Sequence, residues 1–382
     1  MRVVIIGGGV MGASAAYHLA AAGIRDLVVL DAAAGPGQGS TGRATGGFRA
    51  QFPTAINVRL SLLAREKLRR FPEEIGADPG YRPFGYLWLA GSESELADLR
   101  AARRVQEGEG LHEAVEVSVD DIRRLNPAID VSGLMAGAFC PTDGFIQPLA
   151  MLDGYLAAAG RLGARVEWGS RVVALERAGD RIDAVHTAEG GRWQADAVLN
   201  AAGPWAAAVA ALAGADLPVA PLRRQVLPTA PQTALPREMP MTIFPDGFHL
   251  RVRGDGRALL LWPDPAPSGF DAAVDPGWIA KVGDMARARV PGLAAVPLDP
   301  AAAYAGLYEM SPDHHAIVGA SPGCANLFAI AGSSGHGVMH APALGQLVAE
   351  MMNGREPPFD VAALRPSRFR DGGAPNRVGM GL

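Results

Sequence analysis

Arg2-Val3-Val4-Ile5-Ile6-Gly7-Gly8-Gly9-Val10-Met11-Gly12 opens the chain, and the reading of this stretch decides the fold. The β-branched run 2–6 has the pattern of a strand buried on both faces, as in a parallel sheet. Gly7, Gly9 and Gly12 then follow at G-x-G-x-x-G spacing. The first permits a tight turn, the second lets backbone approach a pyrophosphate, and the third lets helix pack on strand. The alanine-rich run from Met11 to Ala22 predicts a helix with Gly23 as its C-cap, and 27–31 predicts a second strand ending in Asp31. This is a βαβ unit of the Rossmann type. Val10 and Met11 sit in the first helical turn, where unpaired N–H groups face phosphates, and Asp31 is placed to bind ribose hydroxyls. The motif by itself does not separate FAD from NAD(P).

Composition sets the frame around this unit. The 382 residues are 49% hydrophobic and 19% charged, enough for a sizeable core in one large or two smaller domains. Net charge is −4, and the 35 basic side chains are scattered, all arginine except Lys67 and Lys281. No basic stripe marks a nucleic-acid footprint. Cys140 and Cys324 fit a reduced cytoplasmic protein, and the eight histidines show no metal-ligand spacing. Residues 2–24 are apolar enough to resemble a signal peptide, but their glycines and His18 fit the nucleotide unit better, and no other run is long enough to span a bilayer. The Gly- and Pro-rich stretch from about Asp371 reads as a loose tail.

Beyond the opening unit, a small-residue loop runs from Gly35 to Gly47, followed by a helix over 56–70. Residues 165–200 read as short strands between turns, leading to Gly203-Pro204-Trp205 and another alanine-rich helix. From about 218 to 305 prolines are frequent and strand-like segments such as 248–252 and 258–262 alternate with turns, which suggests a second, largely antiparallel domain. A strand, a glycine loop and a helix then return over 327–352.

Three segments bear on the cofactor. These are Gly39-Ser40-Thr41-Gly42-Arg43-Ala44-Thr45-Gly46-Gly47-Phe48-Arg49, Gly306-Leu307-Tyr308-Glu309-Met310-Ser311-Pro312-Asp313 and Gly332-Ser333-Ser334-Gly335-His336-Gly337-Val338-Met339. With the opening motif, and in this order, they resemble the D-amino-acid-oxidase-like flavoproteins, in particular the sarcosine oxidase, glycine oxidase and proline dehydrogenase β-subunit branch. The resemblance implies an α/β, Rossmann-type FAD-binding domain, discontinuous in sequence over 1–82, 142–217 and 306–382. It implies a substrate domain on an antiparallel sheet over 83–141 and 218–305. It places Ser40, Thr41, Arg43, Gly46 and Gly47 along the cofactor, Val172 against the adenine through its backbone, and Gly203 and Trp205 in a turn beside it. Gly335, His336, Gly337 and Val338 would open a helix whose positive end faces the negative edge of reduced flavin.

For chemistry, the resemblance puts Arg49 where a guanidinium grips a substrate carboxylate. Tyr308, His336 and His249 become candidates for lining the substrate pocket. His249 also reads as an ordinary packed histidine of the strand, and His314 and His315 as structural. Single-chain sarcosine oxidases attach flavin through a cysteine at the position of Gly306, so FAD is expected to be non-covalent. They also carry lysines where this chain has Met339 and the lysine-free segment 258–264. A dehydrogenase passing electrons to a carrier or partner subunit is therefore an expectation alongside an oxidase. The expected reaction is hydride transfer to flavin N5 from a secondary or N-methylated amino acid such as sarcosine, proline or dimethylglycine, giving an imine. A hydroxy acid as substrate, or a flavin-carrying subunit active only in a complex, remains open on the sequence.

Overall fold

In the computed structural model, which describes residues 1–370, the opening strand Arg2–Ile6 lies inside a six-stranded sheet. Asp26–Asp31 and Ala197–Asn200 flank it in parallel, with Arg165–Trp168 beyond the first and Leu327–Ala331 beyond the second. Ile317–Ala320 closes one edge in antiparallel fashion. The central strands are buried on both faces, as their unbroken apolar runs require. Four of the six strands come from distant parts of the chain, so the sheet is discontinuous in sequence, as expected.

One face of the sheet is covered by helices Val10–Ala21, Pro148–Arg161, Ala55–Glu74 and Gly337–Met352. The first and last cross closely because their contact is made of small residues. The Ser14 hydroxyl donates to the Ala341 carbonyl at 2.8 Å, and a Cβ on Gly345 would overlap Ser14. On the other face, a three-stranded antiparallel sheet (Val172–Ala178, Arg181–Thr187, Arg192–Gln194) packs Leu175, Ile182 and Val185 on Val4, Ile6, Val28 and Leu30.

The second large sheet has eight strands, in the order Tyr304–Met310, Ala220–Pro228, Ala258–Leu261, His249–Val252, Met241–Ile243, Tyr86–Ala90, Ala136–Cys140, Val115–Ser118. Its pairings are antiparallel except that Met241–Ile243 runs parallel to Tyr86–Ala90. That one pair joins two segments far apart in sequence, which permits the parallel crossover. Tyr304–Met310 spans the expected boundary at 305/306 and is zipped along Ala220–Pro228, so it carries site residues on the edge of this sheet. Helices Glu93–Gly108, Val119–Leu125 and Pro276–Arg289 pack against the sheet.

The loop reading needs adjustment. The loop 35–47 contains a short helix, Ser40–Arg43, and Gly47–Phe48 pairs with Gly144–Phe145 as a two-stranded ribbon. Lys67 is half-buried, and burial lowers its pKa, whereas Lys281 is exposed with its ammonium 3.7 Å from the Trp262 ring centre. Cys140 and Cys324 are both buried free thiols. The stretch from Asp371 lies outside the described residues.

Candidate functional site

The glycine turn, the Ser40 loop, the Gly203 turn, the Tyr304–Met310 strand and the start of helix Gly337–Met352 enclose a cavity of about 830 Å³. Its wall includes Gly7, Gly9, Val10, Met11, Asp31, Ser40, Thr41, Arg43, Gly46, Gly47, Val172, Gly203, Trp205, Gly335, Gly337 and Val338. These are the expected cofactor residues except Gly12 and His336. Gly12 sits one layer behind, where a Cβ would overlap the Gly7 carbonyl, so its role is to let helix approach turn.

Local chemistry explains how the wall is held. Gly7 adopts φ 110°, and a side chain there would strike the Ala201 carbonyl. Asp31 accepts from Gly8 N–H (2.6 Å) and Ala33 N–H (2.7 Å), so its carboxylate orders the turn as well as facing the cavity. Helix Val10–Ala21 has no side-chain cap from its N-cap Gly9; Val10 N–H is met from outside by the Thr41 hydroxyl at 3.1 Å. A helix start with unpaired donors and a positive dipole end is suited to phosphate. The Ser40 hydroxyl donates to the Leu307 carbonyl (2.7 Å), and Gly306 lies against the Arg43 side chain, fastening the loop over the Tyr304–Met310 strand. Trp205 is half-exposed and stacks on Phe270 with ring centres 5.6 Å apart.

Glu309, on the same wall, was not anticipated. Its Oε1 accepts from Ser333 N–H at 3.2 Å, while the buried Oε2 has no partner among the described residues, and burial pushes the carboxyl up to about 7. An unpartnered buried acceptor, a ring of glycines leaving backbone bare and a helix start without a cap together fit a large, phosphate-bearing cofactor such as FAD. Neither cysteine is on the wall.

Next to the cavity lies a second, drier cluster that brings together Arg49 and His336, with Tyr308 shared between the two. Arg49 is 2% exposed. Its NH2 nitrogen donates to His336 Nε2 at 3.1 Å, its NH1 nitrogen donates to the Gln51 carbonyl at 3.4 Å, and its guanidinium carbon lies 4.2 Å from the Phe52 ring centre and 4.9 Å from that of Trp88. His336 is the neutral tautomer that accepts at Nε2; burial and then the Arg49 charge hold its pKa well below the ordinary value. His340, one helical turn on, shares a 2.8 Å hydrogen bond with Ser61 and is pushed down to about 3 by the same two causes. Burial lowers Arg49 itself to about 10 against the opposing pull of the Asp143 carboxylate, and among the described residues no carboxylate forms an ion pair with it.

The loop bearing Arg49 is held by Asp143, which is fully buried and accepts from Ala50 N–H (2.7 Å) and Gln51 N–H (3.4 Å). Burial raises Asp143 to about 6 against the pull of those bonds. His249 donates from Nδ1 to the Gly247 carbonyl at 2.8 Å and is lowered to about 4, by burial first and then by the charges of Arg49 and Arg224. Arg224 lies on the cavity wall, 5.7 Å from the Tyr308 ring centre. Arg251 braces the flavin-side loop by donating to the Thr45 (2.6 Å) and Gly46 (3.1 Å) carbonyls. Sequence reasoning missed Asp143, Arg224, Arg251 and Glu309, since only the fold brings them to the site. His315 and Asp313 sit outside it: Arg368 donates to Asp313 at 2.8 Å and Ser311 to the His315 carbonyl at 2.7 Å.

The comparisons with known proteins agree with this geometry. Residues 2–351 match the family model of FAD dependent oxidoreductases (DAO), and the chain belongs to that family. It is 30% identical to human mitochondrial dimethylglycine dehydrogenase over 96% of its own length, spanning 44% of that larger protein. It is 27% identical to glycine oxidase of Geobacillus kaustophilus, over 96% of both chains. The crystal structure of L-proline dehydrogenase from P. horikoshii superposes with a TM-score of 0.90 at 26% identity, covering 97% of this chain and 98% of that one. The cofactor is accordingly FAD, and among the described residues no helix is long and apolar enough to cross a membrane.

Proposed function

We propose that this chain oxidises a small secondary or N-methylated amino acid, with Arg49 holding the substrate carboxylate in the dry cluster beside the FAD cavity. The observation that carries this reading is a buried guanidinium with no ion pair among the described residues, flanked by neutral imidazoles. FAD, when bound, supplies a hydride acceptor. The residues supply the rest. Arg49 offers a charge-assisted, fork-shaped anchor in a low-dielectric setting, where such a bond is strongest. His336 accepts from one edge of that fork and so fixes its orientation. The positive charges of Arg49 and Arg224 lower the pKa of a nearby substrate amine, favouring the neutral form that hydride loss requires. Tyr308, whose phenol is kept protonated by burial, forms the common wall of both compartments.

Dimethylglycine dehydrogenase, L-proline dehydrogenase and the Paenarthrobacter nicotinovorans 4-methylaminobutanoate oxidase, 28% identical to this chain, act on substrates of this class by their names, which supports the reading. The division into an FAD domain and a substrate domain belongs to the same proposal, as does electron delivery to a carrier or partner subunit, since Met339 and 258–264 supply no lysine. Anaerobic titration of the yellow protein with sarcosine, dimethylglycine, proline and matching hydroxy acids tests it. Bleaching by the amino acids is expected; bleaching by hydroxy acids alone overturns it. Readmitting air then tells an oxidase from a dehydrogenase.

A further inference from the structure

We infer that Glu309 is the group that binds the polyol (ribityl) link of FAD, accepting a hydroxyl hydrogen bond through Oε2. The inference rests on the cavity being the FAD site and adds a residue and a ligand group to it.

The placement argues for this part of the cofactor rather than another. Oε1 is committed to Ser333 N–H, whereas the buried Oε2 has no hydrogen-bond partner among the described residues, and neither has the neighbouring Ser333 hydroxyl. A Cβ built on Gly203 would lie 3.8 Å from Oε2, and one built on Gly337 would lie 3.5 Å from Oε1. The Gly337 position is in turn 3.3 Å from the Met11 methyl. Glu309 is therefore lodged between the start of helix Val10–Ala21, suited to the phosphates, and the start of helix Gly337–Met352, suited to the polar edge of the ring. The segment of FAD that spans that interval is the polyol, whose hydroxyls are donors. Asp31 already serves the ribose end. A buried acceptor left unmet costs on the order of 1–3 kcal/mol, which gives Glu309 a reason to face the cavity only if a donor arrives there. The raised carboxyl pKa of about 7 agrees with a group whose environment is completed by a ligand.

The test compares two probes on flavin-stripped protein: FAD, and ADP, which has the phosphates and adenosine but no polyol. Affinities are measured by calorimetry or by flavin fluorescence quenching. Glu309→Ala should weaken FAD binding by about 10- to 100-fold, the range for a hydrogen bond to a carboxylate, while ADP binding stays within about twofold. Glu309→Gln, which keeps an acceptor oxygen, should fall between. Unchanged FAD affinity in Glu309→Ala overturns the inference, and so does a parallel loss of FAD and ADP, which would mark Glu309 as a scaffold residue. Wild-type protein binding neither probe would instead overturn the assignment of the cavity.

Discussion

Changing Arg49 to Lys removes the fork and both aromatic stackings while keeping the charge. The guanidinium touches His336 Nε2 at 3.1 Å and lies within 5 Å of the Phe52 and Trp88 ring centres. A lysine ammonium cannot pair a carboxylate through two parallel N–H groups, nor stack as a plane. Losing one charge-assisted hydrogen bond costs about 1.5–3 kcal/mol, and misorienting the partner a further increment on the order of 1 kcal/mol. The sum, about 2.5–4 kcal/mol, corresponds to a fall of roughly 100- to 1,000-fold in kcat/KM. The assay is anaerobic stopped-flow reduction of the flavin at limiting substrate, run on protein with its FAD content checked. The fall should shrink to within tenfold for the methyl ester of the same substrate, because a neutral ester never formed the bidentate pair. Rates within threefold of wild type for the free acid, with full FAD content, would refute the carboxylate role for Arg49.

Glu309→Gln should alter the pH dependence of stability in the flavin-free protein. Glu309 titrates near 7 when folded against an ordinary value of 4.5. The wild-type contribution is thus full below about 4.5 and lost as pH climbs through 7, so urea unfolding should show the variant ahead by about 3 kcal/mol at pH 8 and level at pH 4.5. Gly335→Ala places a methyl against the Tyr308 ring at a residue with φ 89°, so melting temperature should drop by several degrees and flavin reduction should slow. Gly345→Leu drives a side chain into Ser14 and should unfold the protein or lower its melting point severely, checked by calorimetry. The reductive half-reaction should accelerate with rising pH as substrate nitrogen deprotonates; a flat profile from pH 6 to 10 would count against a neutral-amine step.

The parts of this molecule that sequence reading reached are those where backbone geometry dictates residue type over a few positions. Gly7, Gly12 and the flanking apolar runs are such a case: the turn, the close crossing and the buried strands each demand a particular residue within a dozen positions. The Ser40 loop and the 332–337 turn were reached through resemblance, because their purpose depends on what they wrap. Asp143 shows what stays hidden. It occupies an ordinary Thr-Asp-Gly turn, and nothing nearby in the chain reveals that its carboxylate is fully buried under the amides of Ala50 and Gln51. Glu309 is equally silent in the sequence, since a strand residue next to Tyr308 does not disclose that its partner atom lies on a loop 24 residues away.

The same contrast bears on why an arginine, and not a lysine, serves the dry cluster. Placing a charge there without a carboxylate partner costs desolvation, visible as the lowering of Arg49 to about 10. A lysine, which loses its proton readily when buried, would in that setting be partly neutral and lose its hold on an anion. Arginine stays charged, and Phe52 and Trp88 hold its faces through their rings in place of water. His336 and His340, both held neutral, satisfy polar surroundings without adding a second charge that would repel it. What results is a buried, fixed cation at Arg49, with Arg224 as a second positive charge on the adjoining wall. On the proposed function, such a charge would attract a substrate carboxylate and disfavour an ammonium, so that Arg49 would both orient the substrate and bias its nitrogen toward the neutral form.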